Sequence, residues 1–315
     1  IIQDTQVETV IVTAIGDHLP FIKRNVIKLV MKAKGLIPKT TLNVVTYSEV
    51  ISVGSSLNYS KVSVSPDDVA LLQYTGGTTG VSKGAMLTQK NVLSNCTQIL
   101  EWSKPVVNPG EETVLTALPL YHIFALSVNF LSFVGVGCRS ILVPKPVPIE
   151  NTIKLFKKYN ITAMTGVNTL YNALNNHEEF KRLAPNTIKI ALSGGMALQD
   201  SVNNAFKLIT GVKILEGFGL TEASPVTHCN PLHMDLEPGS IGVPLPSTLA
   251  KVVDENGNRL PFGEKGELIV KGPQVMKGYW GRKDETDKTI RDGWLYTGDV
   301  AVETEKGTFA IVDRM

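Results

Sequence analysis

The sequence has little cysteine and almost no net charge. Its three cysteines in 315 residues, Cys96, Cys138 and Cys229, form no C-x-x-C pair and are odd in number. A disulfide scaffold is therefore not expected, and the thiols are read as reduced. His228, Cys229 and His233 lie close together in the chain but lack the spacing of a zinc site. A net charge of +2 is too small to mark a nucleic-acid surface by itself, and no nucleic-acid partner is expected. No internal repeat or low-complexity tract is present. No apolar run is long enough to span a bilayer. The longest, 123–137, contains Asn129 and reads as a buried helix. No signal peptide is visible. The chain opens on Ile1-Ile2-Gln3-Asp4 without an initiator methionine and is read as a fragment or processed piece.

What is present is ordinary globular composition, 43% hydrophobic and 19% charged, which excludes disorder, collagen and coiled coil. The length suits two or three compact units. From residue 113 onward, strand-like and helix-like segments alternate. Strands are expected at 113–118, 140–143, 161–165, 188–192 and 212–216, with helices at 123–133, 149–158, 168–176 and 199–208. Repeated βα units imply an α/β fold with a mainly parallel sheet flanked by helices. After about Gly239, short strands follow one another at 248–254, 266–271, 294–300 and 307–313. Asn256-Gly257 is a hairpin signal among them. The expected division is an α/β part over 1–238 and a small β-rich, barrel-like subdomain over 239–315. Near the N-terminus, 10–15 reads as a buried strand and 19–34 as an amphipathic helix. Leu19, Phe21, Ile22, Val26, Leu29, Val30 and Ala33 fall near one face of that helix; Lys23, Arg24, Lys28, Lys32 and Lys34 lie largely elsewhere. The preferred reading packs this helix on the core. The other lays it on an anionic membrane surface.

The motif richest in chemistry is Tyr74-Thr75-Gly76-Gly77-Thr78-Thr79-Gly80-Val81-Ser82-Lys83-Gly84. Its glycines let backbone amides approach an anion closely. Its threonines offer hydroxyls and Lys83 adds a positive charge, a set that suits a polyphosphate. It is neither a Walker A loop, because Lys83 follows Ser82 rather than Gly, nor a G-x-G-x-x-G turn. A plain flexible linker would have no need of this lysine. A second block, Gly217-Phe218-Gly219-Leu220-Thr221-Glu222, follows the expected strand 212–216, at a strand end where α/β folds place ligands. Glu222 is a hard oxygen ligand of the kind Mg²⁺ takes along with phosphates. A third, Gly293-Trp294-Leu295-Tyr296-Thr297-Gly298-Asp299, ends on a carboxylate able to accept two hydroxyls. Ile311-Val312-Asp313-Arg314 closes the chain. The plainer readings are a solvated turn for Glu222 and for Asp299, and a solvated side chain for Arg314. For His122, in Leu118-Pro119-Leu120-Tyr121-His122-Ile123-Phe124-Ala125-Leu126-Ser127, the plainer reading is a packed histidine.

Taken in order, these blocks resemble the adenylate-forming superfamily of acyl-CoA synthetases, luciferases and peptide-synthetase adenylation domains. The resemblance runs from about Asp67 to the end. It implies that Thr75, Gly76, Gly77, Thr78, Thr79, Gly80 and Lys83 hold the phosphates of ATP. It further implies that Phe218, between Gly217 and Gly219, stacks on adenine where the family usually has Tyr. Thr221 would contact the α-phosphate, Glu222 with Thr75 would hold Mg²⁺, and Asp299 would bind the ribose, with Arg314 reaching ribose or phosphate. Ser193-Gly194-Gly195-Met196-Ala197 resembles the block lining the adenine and acyl pocket. His122 would position the carboxylate or the developing acyl phosphate. Lys83, Thr221, Glu222 and His122 are the expected catalytic residues. Other departures are Ser82 for the usual Pro, and Gln89 after Thr88 where His is frequent.

Peptide-synthetase relatives carry an Asp for the substrate ammonium where this chain has Ala125. An unpaired, desolvated ammonium is costly, so an amino-acid substrate is not expected. Segments 19–34, 73–77 and 121–129 most resemble bacterial-type long-chain fatty-acid:CoA ligases. The implied reaction joins a fatty acid to ATP as acyl-AMP and then to CoA. Two other readings remain: transfer to a carrier protein, and a nucleotide- or acyl-binding module without catalysis. The second is raised because the family's C-terminal domain, with its own lysine, is absent from the sequence. A cytoplasmic location is expected, with a homodimer and a peripheral contact on the inner face of the membrane as open alternatives.

Overall fold

Residues Thr113–Thr116 form a strand with no exposed side chain, as a parallel strand covered on both faces must be. The computed structural model that contains it describes residues 5–37, 40–75, 81–232, 234 and 239–314. By internal contacts the chain divides into two units, Ile1–Ser63 and Val64–Met315.

In the first unit, β1 (Ile11–Val12) pairs parallel with β2 (Val45–Thr46), and α1 (Phe21–Ala33) and α2 (Tyr47–Gly54) complete it. A capping box starts α2: the Thr46 side chain accepts the Glu49 N–H, and the Glu49 carboxylate accepts the Thr46 N–H. The strand expected over 10–15 shrinks to β1, and both of its residues are exposed. The helix expected over 19–34 is there, and its own unit provides no core for its apolar face. No residue of α1 is buried, and Phe21, Ile22 and Leu29 are 71%, 76% and 72% exposed. A unit whose described strands are two residues long offers no sheet wide enough to cover a helix face.

The second unit begins with an antiparallel hairpin of β3 (Val69–Thr75) and β4 (Lys83–Thr88). Thr88 then caps α3 (Gln89–Ser103), with Asn91 as its capping-box partner. Hydrophobic periodicity did not anticipate this helix. Its buried face carries Asn91, Asn95, Gln98 and Ser103 beside Val92, Cys96 and Ile99, which blurs the apolar stripe. The βα alternation follows: β5 (Thr113–Thr116), β6 (Arg139–Leu142), α4 (Glu150–Lys158), β7 (Ala163–Gly166), α5 (Asn168–Asn175), α6 (Glu178–Leu183), β8 (Ile190–Ser193), α7 (Asp200–Thr210) and β9 (Ile214–Gly219). Strands β6-β5-β7-β8-β9 lie side by side and parallel, close to the boundaries expected from sequence. Leu115, Phe156, Met164, Phe180 and Phe206 belong to one core cluster; Val114, Ile99, Val128, Phe133 and Ile190 belong to another.

Between β5 and β6, the apolar stretch forms a π-helix, Ala125–Phe133. Asn129 is fully buried there. It donates to the Thr116 hydroxyl at 3.1 Å and accepts from the Thr165 hydroxyl at 2.9 Å, tying the helix to β5 and β7. Among the described residues no helix is long and apolar enough to cross a membrane.

The strands after Gly239 extend the same sheet. From β9 it continues through β10 (Val226–Cys229), β11 (Ser240–Pro244), β16 (Phe309–Arg314), β15 (Trp294–Glu303) and β13 (Lys265–Lys271) to β12 (Leu249–Val253), all antiparallel, with β14 (Ile290–Arg291) beside β15 after α8 (Lys283–Thr289). Asn256-Gly257 does form a tight turn, closed by Asp254 N–H to the Asn258 carbonyl at 3.0 Å. It yields only a single bridge, Val253 to Arg259; a further stretch of chain precedes β13. Cys96, Cys138 and Cys229 are buried and unpaired, and His233 lies outside the described residues.

Two positions generate tests. His228 on β10 is fully buried between the rings of Phe309 and Phe218, at 4.9 and 6.1 Å. Its Nδ1 pairs with the Thr227 hydroxyl, and its Nε2 has no partner among the described residues. Burial pushes its pKa down from 6.5 to about 3. The unfolded chain therefore takes up a proton below pH 6.5 that the native state refuses, so this contribution is complete above that pH and is lost as pH falls. The loss should be about 2 kcal/mol between pH 7 and pH 5. Urea titrations across that range should show it, and His228→Gln should flatten the slope; an unchanged slope would assign acid sensitivity to other groups. At Gly219, a Cβ would sit 2.1 Å from the Pro225 carbonyl oxygen, whereas at Gly135 it would meet nothing. Gly219→Ala should cost about 3 kcal/mol and Gly135→Ala less than about 0.5 kcal/mol in the same assay.

Candidate functional site

Strands β8 and β9 end on glycine-rich turns. Ser193 closes β8 and leads into Gly194-Gly195; Gly219 closes β9 and leads into a single 3₁₀ turn, Thr221–Ala223, that carries Glu222. A cleft of about 930 Å³ opens at these carboxyl ends, where open α/β sheets bind ligands. Thr75, Lys83, His122, Gly194, Gly195, Gly217, Phe218, Gly219, Thr221, Glu222, Asp299 and Arg314 all line it. Residues that span 240 positions of sequence thus meet in one cavity. Gly76, Gly77, Thr78, Thr79 and Gly80 lie outside the described residues. Their flanks, Thr75 and Lys83, stand opposite each other across the β3–β4 hairpin.

A short segment after β13 joins that hairpin to Glu222. Met86 N–H donates to the Gly278 carbonyl, Lys277 N–H to the Met86 carbonyl and Trp280 N–H to the Gly84 carbonyl, at 2.8, 3.0 and 2.8 Å. The same segment donates Met276 N–H to the Glu222 carbonyl at 2.8 Å. Asn91 on α3 holds its start, giving both amide protons to the Pro273 and Val275 carbonyls at 2.8 Å. The Tyr279 hydroxyl donates to Glu222 Oε1 at 2.6 Å.

Lys83 was expected to face phosphate, and its ammonium is engaged by protein. Nζ lies 2.6 Å from Glu285 Oε2 and 5.2 Å from the centre of the Tyr279 ring. Lys288 bonds the other oxygen of Glu285 at 3.1 Å. Lys83, then Lys288, hold the Glu285 carboxyl down at about 2. On β15, Asp299 stands opposite Arg314 of β16, whose Nε is 3.7 Å from Oδ1. Burial raises the Asp299 pKa; Arg314 opposes this, while the carboxylates of Glu222 and Glu267 reinforce it. His122 is exposed, and its Nδ1 accepts the Phe124 N–H at 3.2 Å. Gly195 has φ +80° and space where a Cβ would go, a conformation that favours glycine.

The rest of the wall is apolar. Ile99 and Trp102 of α3, Phe124, Val128 of the π-helix, Ile190 and Leu192 of β8 contribute to it. Ala125 is fully buried and is not part of the lining; its neighbours Phe124 and Val128 supply the apolar surface there. The cleft therefore offers charges suited to a polyanion and a surface suited to an apolar chain. Tyr279, Glu285 and Lys288 escaped the sequence reading because they belong to none of its blocks. Their contacts span up to 202 residues, and no local pattern encodes a partner at that distance.

The residues fit a shared rather than a caged cation. Among the described residues no group of three His, Cys, Asp or Glu side chains could hold a metal. Mg²⁺ asks for less, one or two carboxylates together with phosphate oxygens. Glu222 has one of its lone pairs taken by Tyr279 and others open to a cation.

Comparison with known proteins agrees with this geometry. The AMP-binding enzyme family matches residues 1–280. A long-chain-fatty-acid–CoA ligase of Escherichia coli O6:H1 is 47% identical over the whole of this chain, which covers 56% of that protein. The ligase of the same name from Bacillus subtilis is 41% identical over 98% of the chain and 55% of its own length. The ATP-bound structure of MatB from Rhodopseudomonas palustris superposes with a TM-score of 0.78 at 29% identity, covering 96% of this chain and 59% of that one. The chain thus spans little more than half the length of the curated relatives it matches, but most of it falls within one family, and it belongs to the AMP-binding enzymes.

Proposed function

We propose that this chain is the nucleotide- and acyl-binding part of an ATP-dependent long-chain fatty-acid:CoA ligase of the cytoplasm. The observation that carries the reading is the convergence of every described candidate site residue on one cleft with an apolar wall. The names of the relatives support the substrate class.

In this reading, a fatty-acid carboxylate attacks the α-phosphorus of ATP, forming acyl-AMP and releasing pyrophosphate. The CoA thiol then attacks the acyl carbon, and AMP leaves. Lys83 and the loop from Thr75 to Gly80 neutralise the departing phosphates. Thr221 donates to the α-phosphate, His122 orients the carboxylate, and Phe218 packs against adenine beside the space left by Gly194, Gly195, Gly217 and Gly219. Asp299 accepts the ribose hydroxyls, with Arg314 beside it. Glu222, with the Thr75 hydroxyl, would hold Mg²⁺, which when bound supplies charge neutralisation at the phosphates. The protein's contribution is positioning and electrostatics rather than a covalent intermediate. Lys83 must exchange Glu285 for phosphate during binding, and Glu285 retains Lys288 as a partner when it does. Each CH₂ buried against the apolar wall is worth about 0.8 kcal/mol, so a long chain outbinds a short one where the wall is long enough.

Thermal unfolding of the chain tests the reading. Mg·ATP and a non-hydrolysable palmitoyl-adenylate analogue should both raise Tm, and the palmitoyl analogue should do so more than a short-chain one at equal concentration. Equal shifts for the two adenylates would remove the long-chain assignment, and no shift from any of them would remove the nucleotide site. Lys83→Ala and Glu222→Ala should each weaken Mg·ATP binding by about 1.5–3 kcal/mol, read by calorimetry, with the ligand-free Tm nearly unchanged. Loss of the folded state in both variants would instead make these residues structural.

A further inference from the structure

Tyr279 touches both charges on which the proposed site depends. Its hydroxyl donates to Glu222 Oε1 at 2.6 Å, and the face of its ring lies 5.2 Å from Lys83 Nζ. We infer that Tyr279 is a positioning residue that holds Glu222 for Mg²⁺ through its hydroxyl and Lys83 for phosphate through its ring. This inference rests on the reading of the cleft as a Mg·ATP site.

The side chain is built for such a role. It is 6% exposed, and its own N–H is fixed to the Thr286 hydroxyl at 2.9 Å, which in turn donates to the Arg282 carbonyl. On either side, Gly278 and Trp280 are zipped to β4, so the ring starts from a backbone that cannot drift relative to Lys83. Glu222 is gripped at both ends by one segment, through Met276 N–H at its carbonyl and Tyr279 at its carboxylate. A phenol hydroxyl facing a carboxylate at this distance donates to it. A donor on one lone pair orients the others toward a cation, the usual task of an outer-shell partner. The ring works differently: it attracts the ammonium without neutralising it, so that Lys83 keeps its charge for phosphate once it leaves Glu285.

The two halves of the role separate experimentally. ATP affinity of the 315-residue chain is measured by calorimetry in EDTA and again in excess Mg²⁺, with circular dichroism melts of the ligand-free proteins as the check on folding. Tyr279→Phe keeps the ring and loses the hydroxyl. It should leave affinity in EDTA within about twofold and cut the gain from Mg²⁺ about tenfold. Tyr279→Leu also loses the ring face and should weaken binding in EDTA about threefold. Lys83→Ala should weaken binding in EDTA while keeping the gain from Mg²⁺, the reverse of Tyr279→Phe. A Tyr279→Phe variant with the full Mg²⁺ gain would overturn the inference. So would one that melts early and loses affinity equally in EDTA and in Mg²⁺, which is the behaviour of a merely structural residue. Absence of ATP binding by the unsubstituted chain would instead bring down the reading of the cleft itself, and the inference with it.

Discussion

The segment from Met276 to Trp280 is the constraint on which the rest of the site depends. It pairs with β4 through Gly84 and Met86 and with Glu222 through Met276 and Tyr279. Without those bonds, the lysine at the end of the hairpin and the glutamate after β9 would belong to separate pieces of backbone. Backbone hydrogen bonds suit this task because they fix orientation as well as distance, and because a buried N–H or carbonyl left unpaired is costly. Asn91, the capping-box partner of Thr88 on α3, also binds the Pro273 and Val275 carbonyls and extends the same constraint into the helix beneath the cleft. Its side chain serves two elements at once, which accounts for a polar residue on a buried helix face.

The electrostatics of the cleft follow from how its strands are joined. The parallel strands β8 and β9 contribute turns of glycine, threonine and one carboxylate. The antiparallel strands β15 and β16 contribute Asp299 and Arg314 from opposite partners. Because both sets belong to one sheet, Glu222, Glu267 and Asp299 come close enough for their charges to act on one another, and burial raises the pKa of Asp299 further. Like charges gathered in this way disfavour one another until a cation or a set of hydroxyl donors arrives. Lys83 and Lys288 share Glu285 nearby. The charged groups of the cleft are thus already partnered within the protein, Lys83 by Glu285 and Asp299 by Arg314.

Much of the architecture was legible because the physics that produces it is local. The strands at 113–118, 140–143, 161–165 and 188–192 read as short apolar runs between helical segments, and they fold within two residues or so of those bounds. Helix α3 was invisible to the same reasoning because three amides and a serine interrupt its buried face. Helix α1 was legible as a helix, but an amphipathic pattern states only which face is apolar and says nothing of what covers it. The Asn256-Gly257 turn formed as its chemistry requires, yet the strand that pairs with β12 comes only after a further turn. Asn129 interrupts the apolar stretch, and in the fold it is the bolt between the π-helix, β5 and β7.

The sequence by itself determined the alternation of strands and helices, the order of the motif blocks and the chemical types that they carry. Those are properties of neighbouring residues, and periodicity, glycine content and charge express them directly. Only the tertiary structure decided that the blocks line one cleft, that Lys83 rests on Glu285, and that Tyr279 stands between Lys83 and Glu222. Each of these is a contact between residues far apart in the chain. Such a contact comes from the pairing of β4 with the segment after β13 and from the register of β15 against β16, and neither is written into any short stretch of sequence.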